Sequence, residues 1–196
     1  MQKKLNNLIN QVIIWHSDYA KSDRKKFRGH DGITPYYMHP LGIASWTMED
    51  NNGALVDSNK RFIRACVQLL HDIVEDTNIS FEDIEEYLLS INFSVEEVSE
   101  IISGVKSLTF EKGGSKEEFD FLKENQDKID DSVFYDKLAD KLFNIIGSIE
   151  YFQKKGSLEM YLNFLKFLRN KVATGVYKDS AYVRLADGIL ASYMKK

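Results

Sequence analysis

Polar residues able to do chemistry interrupt an apolar stretch at residues 69–77, which reads LLHDIVEDT. With 3.6 residues per turn, a helix places His71 and Glu75 along one edge of a face and Asp72 and Asp76 along the adjacent edge. Burying several acids without a counter-charge is costly, and a bound cation is the simplest way to stabilise them. The stretch therefore predicts a metal site.

Two distant residues extend this ligand set. Pro40 biases His39 toward an extended backbone and suits the first turn of a helix starting at about residue 40, and Asp140 lies in a long predicted helix. With His71 and Asp72 they supply two imidazoles and two carboxylates, a donor set suited to Mn²⁺, Fe²⁺ or Zn²⁺. In helical bundles, such distant ligands come together from separate helices.

Apolar residues recur at helical spacing along the chain, and alternation with a period of two is nearly absent. We therefore predict an all-α fold. Spacing and capping signals place helices at about residues 3–21, 40–50, 58–76, 80–89, 94–108, 115–125, 131–154, 157–173 and 178–194. No linker, repeat or low-complexity segment divides the sequence, so we expect a single domain over 1–196.

Three of these helices open with a capping-box signal, a Ser followed three positions later by an acid. The pairs are Ser80 with Asp83, Ser94 with Glu97, and Ser115 with Glu118. In this motif the two side chains accept hydrogen bonds from N–H groups at the helix start. The three signals agree with the helical periodicity that follows each of them.

Composition excludes several classes of protein. The net charge of −4 argues against a nucleic-acid binder, and a single cysteine, Cys66, excludes an intramolecular disulfide and a thiolate zinc cluster. The first residues lack a signal peptide, and no stretch approaches the roughly 18–20 apolar residues of a membrane span. We expect a cytoplasmic protein; the sequence leaves homo-oligomerisation open.

A basic cluster precedes His39 in sequence and consists of Lys21, Arg24, Lys25, Lys26 and Arg28. Most such runs are merely solvated. A polyanionic substrate approaching an acidic metal cluster nevertheless needs cations, and these are the nearest in sequence to His39. Lys25 and Arg28 are therefore candidate substrate-binding residues, and Lys137 is a further candidate.

Three ordered segments resemble the HD superfamily of metal-dependent phosphohydrolases. They read TPYYMHPL (34–41), LHDIVEDT (70–77) and KLADKLFN (137–144). Within that superfamily they are most similar to the RelA/SpoT-type hydrolase domains and their small stand-alone relatives. The likeness spans about residues 10–150, so the predicted helices at 157–194 lie beyond it.

The resemblance implies an HD-type helical bundle with a metal site in its core. It implies that the metal ligands are His39, His71, Asp72 and Asp140, with Mn²⁺ the usual ion. It also implies that Glu75 and Asp76 handle the attacking water and its protons and that Asn144 contacts the substrate. In RelA/SpoT-type domains the substrate is guanosine tetra- or pentaphosphate, a nucleotide that loses its 3′-pyrophosphate.

The chain departs from the family pattern at two places. An Arg-Lys pair often precedes the Pro-Tyr motif, whereas residues 27–33 read FRGHDGI, with Arg28 the candidate substitute. Two residues after Asn144 the family commonly has Arg, and this chain has Ile146. Base specificity therefore stays open, and a subset of small HD hydrolases of unassigned substrate shows a similar loop.

Two classes of function remain: a metal-dependent nucleotide phosphohydrolase, and a catalytically silent HD domain that binds a nucleotide or a partner protein as a sensor. The Glu75-Asp76 pair favours the enzyme, because a pure binder has no use for proton-transfer groups beside a filled coordination shell. A helical scaffold for partner helices is a weaker third alternative. Of the other histidines, His16 is interpreted as structural, and His30 is either a phosphate-site or a loop residue.

Overall fold

The computed structural model describes residues 1–110 and 114–193 and is built from α-helices. Within these ranges there are ten α-helices and two short 3₁₀ helices, the latter at Asp23–Lys26 and Gly53–Leu55. The α-helices are α1 (Gln2–Asp18), α2 (Met38–Glu49), α3 (Ser58–Leu70), α4 (Ile73–Asp76), α5 (Phe81–Ser90), α6 (Val95–Leu108), α7 (Ser115–Glu124), α8 (Asp131–Lys154), α9 (Leu158–Thr174) and α10 (Ala181–Tyr193). The predicted all-α class is confirmed, and residue 194, the predicted end of the last helix, lies outside the described residues.

None of the helices in the described ranges combines the length and the hydrophobicity needed to cross a membrane. The chain divides into two compact units. Unit 1 comprises Met1–Glu49 and Asn59–Thr109, and unit 2 comprises Asp50–Ser58 and Phe110–Lys196. The expectation of one domain over the whole chain stays a prediction.

Two of the three predicted capping boxes are confirmed. The Ser80 hydroxyl accepts from the Asp83 N–H at 3.1 Å while the Asp83 carboxylate accepts from the Ser80 N–H at 2.8 Å, and the second box, at the start of α6, has the same reciprocal bonds. The third prediction is wrong by one residue. The Glu117 carboxylate accepts from the Gly114 N–H at 2.9 Å, so Glu117 fills the capping position and Glu118 is available for another role.

Unit 1 is organised around α3, in which every residue from Phe62 to Leu70 is buried. Helix α6 approaches α3 so closely that a Cβ atom on Gly104 would lie 2.7 Å from a methyl carbon of Val67. Helix α5 packs on α6, and α1 packs on α4. Backbone hydrogen bonds on either side of the isolated bridge between Ala20 and Thr77 tie the segment after α1 to the end of α4.

Unit 2 consists of α7 to α10 and the segment from Asp50 to Ser58, with α8 packed along α9 and both in contact with α10. Asp50 is 2% exposed, and its carboxylate accepts hydrogen bonds from the Tyr135 hydroxyl at 3.3 Å and from the Ser180 hydroxyl. It also accepts from the N–H of Ala181, the first residue of α10. One buried carboxylate thus joins the 50–58 segment to α8 and α10.

Replacing Gly104 with Ala should destabilise the protein by about 1 kcal/mol. The methyl group gains about 1 kcal/mol of helix propensity, but crowding a fully buried, β-branched Val67 costs about 1–3 kcal/mol. Gly188→Ala in α10 is the matched control, because nothing in the described structure lies within 4 Å of its Cβ position. The control should gain up to about 1 kcal/mol. Urea unfolding measures both, and a stabilising Gly104→Ala would contradict the close contact of α3 with α6.

Candidate metal centre

A break between α3 and α4 positions His71 and Asp72. The sequence predicted one continuous helix here, and that prediction is wrong, because α3 ends at Leu70 and α4 begins at Ile73. The two residues form the intervening turn, and Nδ1 of His71 donates a hydrogen bond to the carbonyl oxygen of Gln68 at 2.8 Å. This bond satisfies a carbonyl group in the last turn of α3 and fixes the orientation of the imidazole.

The same hydrogen bond determines the tautomer of His71. A carbonyl oxygen only accepts, so Nδ1 carries the proton and a neutral His71 keeps its lone pair on Nε2. Nε2 lies 3.1 Å from Oδ2 of Asp72. A lone pair and a carboxylate oxygen at this distance repel each other, and a cation bound to both removes the repulsion. The turn therefore presents two atoms in the arrangement of neighbouring metal ligands.

His39 approaches the same carboxylate from the start of α2. Its Nε2 lies 3.5 Å from Oδ2 of Asp72, and its ring centroid lies 5.3 Å from that of His71. The predicted helix start at about residue 40 is confirmed to within two residues, since α2 begins at Met38 and has both His39 and Pro40 in its first turn. The extended backbone predicted for His39 is wrong, because His39 is helical. Pro40 is tolerated there because the first N–H groups of a helix have no intrahelical acceptor.

Tyr36 makes a contact that the sequence analysis missed. Its hydroxyl donates to Oδ2 of Asp72 at 2.8 Å, and its ring lies edge-on to His39 with the centroids 5.9 Å apart. Burial raises the pKa of Tyr36 well above its ordinary value, and the negative charges of Asp72 and Asp76 raise it further. The phenol is thus a neutral donor to the carboxylate. No helical periodicity relates Tyr36 to Asp72, and only its place in the Pro-Tyr segment could have pointed to it.

His16 lies against Tyr36, with the ring centroids 5.2 Å apart. It is 1% exposed, and neither of its ring nitrogens has a hydrogen-bond partner among the described residues. Burial lowers the pKa of His16 to about 4, although the charge of Asp72 acts in the opposite direction. His16 is therefore neutral at pH 7 and packs as an aromatic ring, which agrees with its interpretation as a structural residue.

Two lysines bind α4, one through backbone carbonyl groups and one through an acid. Lys21 donates to two carbonyl oxygens at the end of α4, at 2.8 and 3.1 Å, and Lys25 forms an ion pair with the buried carboxylate of Asp76. Burial raises the pKa of Asp76 and the charge of Asp72 raises it further, while Lys25 opposes both effects. The sequence predicts Lys25 as a substrate contact; in the structure its partner is Asp76, one of the two predicted proton-transfer residues.

Arg28 lies beside these groups in unit 1. It is 8% exposed, and its guanidinium carbon lies 5.5 Å from the centroid of the Tyr36 ring, within the range of a cation–π contact. Backbone hydrogen bonds from Arg28 to Thr34 and from Tyr36 to Lys26 hold the intervening loop. The loop thus places a cation over the aromatic ring that contacts Asp72.

Asp140 lies in a buried polar cluster of unit 2. Asn144 donates to its Oδ1 at 2.6 Å, and Lys141 contacts its Oδ2 at 2.9 Å. Glu118 of α7 pairs with Lys141 at 2.8 Å and also with Lys137. Burial alone would raise the pKa of Glu118, but the two ammonium groups lower it below its ordinary value. Lys137, a predicted substrate residue, is thus paired with Glu118, which the sequence predicts to be part of a capping box.

His39 and His71 of unit 1 are buried imidazoles, Asp140 of unit 2 is a buried carboxylate, and each of the three can offer one ligand atom to a metal ion. Two imidazoles and a carboxylate suit Mn²⁺, Fe²⁺ or Zn²⁺. The tautomer of His71, which leaves a lone pair on Nε2, also fits a metal ligand. The residues present are therefore consistent with a divalent metal site in the helical core, as the sequence predicted.

The helical fold and the buried histidine and aspartate side chains define an HD-type protein. Comparison with known proteins specifies its family. The chain is 32% identical over 135 residues to guanosine-3′,5′-bis(diphosphate) 3′-pyrophosphohydrolase MESH1 of Xenopus tropicalis, with 68% of each protein covered. It is also 30% identical over 175 residues to the probable guanosine-3′,5′-bis(diphosphate) 3′-pyrophosphohydrolase of Mycoplasma genitalium. This match covers 79% of this chain and 21% of that protein. The chain belongs to the MESH1/SpoT-like family of HD-domain proteins.

A solved structure has the same fold. It is described as a metazoan orthologue of SpoT that hydrolyses ppGpp, and it matches with a TM-score of 0.69 over 96% of this chain and 94% of that one. The sequence identity is 20%, so this likeness concerns the fold alone. No family model matches the chain.

The burial of His16 should make the free energy of unfolding decrease on acidification. The unfolded chain takes up a proton on this residue below its ordinary pKa of about 6.5, whereas folded His16 stays neutral down to about pH 4. Its contribution to stability is therefore complete above pH 6.5 and decreases by up to about 3 kcal/mol as the pH approaches 4. His16→Leu should remove this part of the pH dependence. Urea unfolding from pH 7 to pH 4.5, with a chelator present, measures it, and parallel curves for the two proteins would contradict the assignment.

Proposed function

We propose that this protein is a metal-dependent phosphohydrolase that removes the 3′-diphosphate from guanosine 3′,5′-bis(diphosphate). The observation that carries the proposal is the turn between α3 and α4, where Oδ2 of Asp72 lies within 3.1 Å of His71 and 3.5 Å of His39. The relative from Xenopus tropicalis, which carries the name of this activity, supports the choice of substrate. In the net reaction, water cleaves the bond between the 3′ oxygen and its phosphorus, and pyrophosphate and guanosine 5′-diphosphate are released.

The proposed metal ligands are His39, His71, Asp72 and Asp140, with Mn²⁺ as the proposed ion. A divalent ion, when bound, supplies Lewis-acid activation of water and of the phosphoryl group. The chain itself holds the ligands in place through the Gln68 carbonyl behind His71 and the Asn144 amide on Asp140. Such partners, which contact the ligands rather than the ion, orient ligands in other metal sites.

Glu75 and Asp76 are the proposed proton-transfer residues. Both lie in α4, directly after the Asp72 turn. Burial and the charge of Asp72 raise the pKa of Asp76 despite its ion pair with Lys25, so Asp76 can hold a proton more readily than an exposed carboxyl group can. We assign to this pair the removal of a proton from the attacking water and its return to the 3′ oxygen of the leaving nucleotide.

The proposed substrate contacts divide into two groups. In unit 1, Lys25 and Arg28 supply positive charge beside the acids, and the Lys25 side chain is 49% exposed. In unit 2, Asn144 and Lys137 are the proposed contacts, although Lys137 is paired with Glu118 in the described structure. The cationic side chains near the acids support a polyanionic substrate. A nucleotide with two diphosphates carries enough negative charge to bind several of them at once.

Incubating the protein with guanosine 3′,5′-bis(diphosphate) and Mn²⁺ should release pyrophosphate and guanosine 5′-diphosphate, which phosphorus NMR and anion-exchange chromatography identify. Guanosine triphosphate, which lacks a 3′ phosphate, tests the position of cleavage. Asp72→Asn should lower turnover by at least about 100-fold, because it weakens a ligand and the hold on both imidazoles. Glu86→Gln, which neutralises an exposed acid of α5, is the control and should behave as wild type.

Unchanged turnover in Asp72→Asn would overturn the proposed site. Absence of turnover with Mn²⁺, Fe²⁺ and Zn²⁺ on the nucleotide panel would overturn the proposed function. If the nucleotide then still bound, the catalytically silent sensor would be the better account.

A further inference from the structure

Glu118 is a buried carboxylate whose interactions serve no capping function. It lies on α7 with 6% of its surface exposed and contacts two ammonium groups of α8, those of Lys137 and Lys141. Lys141 also contacts Oδ2 of Asp140, so a continuous chain of charges runs from Glu118 through Lys141 to Asp140. All four side chains are at least nine-tenths buried.

The ion pairs described above join two cations to two carboxylates. Burial makes each charge expensive unless partners surround it, and it also strengthens each pairwise attraction. An ammonium group has three donors in a compact head, so Lys141 can bind Glu118 and Asp140 together. The position of the Lys141 head is therefore a compromise between the two carboxylates.

That compromise affects how much negative charge Asp140 can offer to a metal ion. With Glu118 in place, the positive charge of Lys141 is shared, and Oδ2 of Asp140 is only partly neutralised. Without the Glu118 charge, Lys141 would keep Asp140 as its ion-pair partner. A cation drawn closer to Asp140 competes with any metal ion bound there.

We propose that Glu118 is a positioning residue for Asp140, acting through Lys141 to keep the Asp140 carboxylate available to a divalent metal ion. The inference rests on the proposed function, in which Asp140 is a metal ligand. It adds a residue from outside the three motif segments to the site. It also accounts for a buried acid on α7, a helix that carries no other part of the proposed metal site.

Binding of Mn²⁺ to the full chain, measured by the electron paramagnetic resonance of free Mn²⁺ without nucleotide, tests this inference. Glu118→Gln keeps the shape of the side chain and removes its charge, and it should weaken Mn²⁺ binding about tenfold. Asp120→Asn is the matched control, because it neutralises an exposed acid on the same helix and should leave the affinity within twofold of wild type. Thermal unfolding with a chelator measures stability separately.

A double-mutant cycle identifies the route of the effect. Lys141→Met removes the competing cation and should bind Mn²⁺ at least as tightly as wild type. In that background Glu118→Gln should change the affinity less than twofold. If Glu118→Gln does not fold, Glu118→Asp, which moves the charge back by one methylene group, replaces it and should show a smaller loss that Lys141→Met again abolishes.

The outcomes separate this inference from the proposed function. Wild-type protein that does not bind Mn²⁺, or Asp140→Asn that binds it as wild type does, would overturn Asp140 as a ligand and the inference with it. If Asp140→Asn weakens binding but Glu118→Gln lowers only the unfolding temperature, Glu118 is merely structural. An equal loss on replacing Glu118 in both backgrounds would overturn the route through Lys141.

Discussion

The carboxylate of Asp72 beside two imidazoles is the interaction on which the rest of this account depends. Two buried imidazoles beside a carboxylate, with the lone pair of His71 Nε2 near Oδ2 of Asp72, are costly to place in a protein interior. A bound cation would lower that cost. The local structure serves this arrangement, since the helix breaks at His71 and Asp72, and the Gln68 carbonyl and the Tyr36 hydroxyl fix the two side chains.

Each unit places cations of its own next to its acids. In unit 1, Lys21 binds carbonyl oxygens at the end of α4 and Lys25 pairs with Asp76. In unit 2, Lys141 pairs with both Asp140 and Glu118. These pairs lower the cost of burying acids before a metal ion or a substrate binds, and the basic residues near the site are therefore structural partners as well as candidate substrate contacts.

Much of the fold followed from the sequence because its signals are local. Helical periodicity and the capping boxes at Ser80 and Ser94 determined most helix positions. The break at His71 escaped prediction because the apolar periodicity continues through it, whereas the turn is held by a hydrogen bond from the His71 side chain to the Gln68 carbonyl. The partners of Tyr36 and Glu118 escaped it for another reason. They are tertiary contacts between residues far apart in sequence, and helical spacing carries no information about them.

Diffraction from crystals soaked in Mn²⁺, recorded at a wavelength where manganese scatters anomalously, would show whether these side chains bind a metal ion. We expect one strong anomalous peak within coordination distance of Nε2 of His39 and of His71, with an Asp72 oxygen also in its coordination shell. The peak should disappear in crystals of Asp72→Asn. A peak elsewhere, or none at saturating Mn²⁺, would contradict the claim that these side chains form a metal centre.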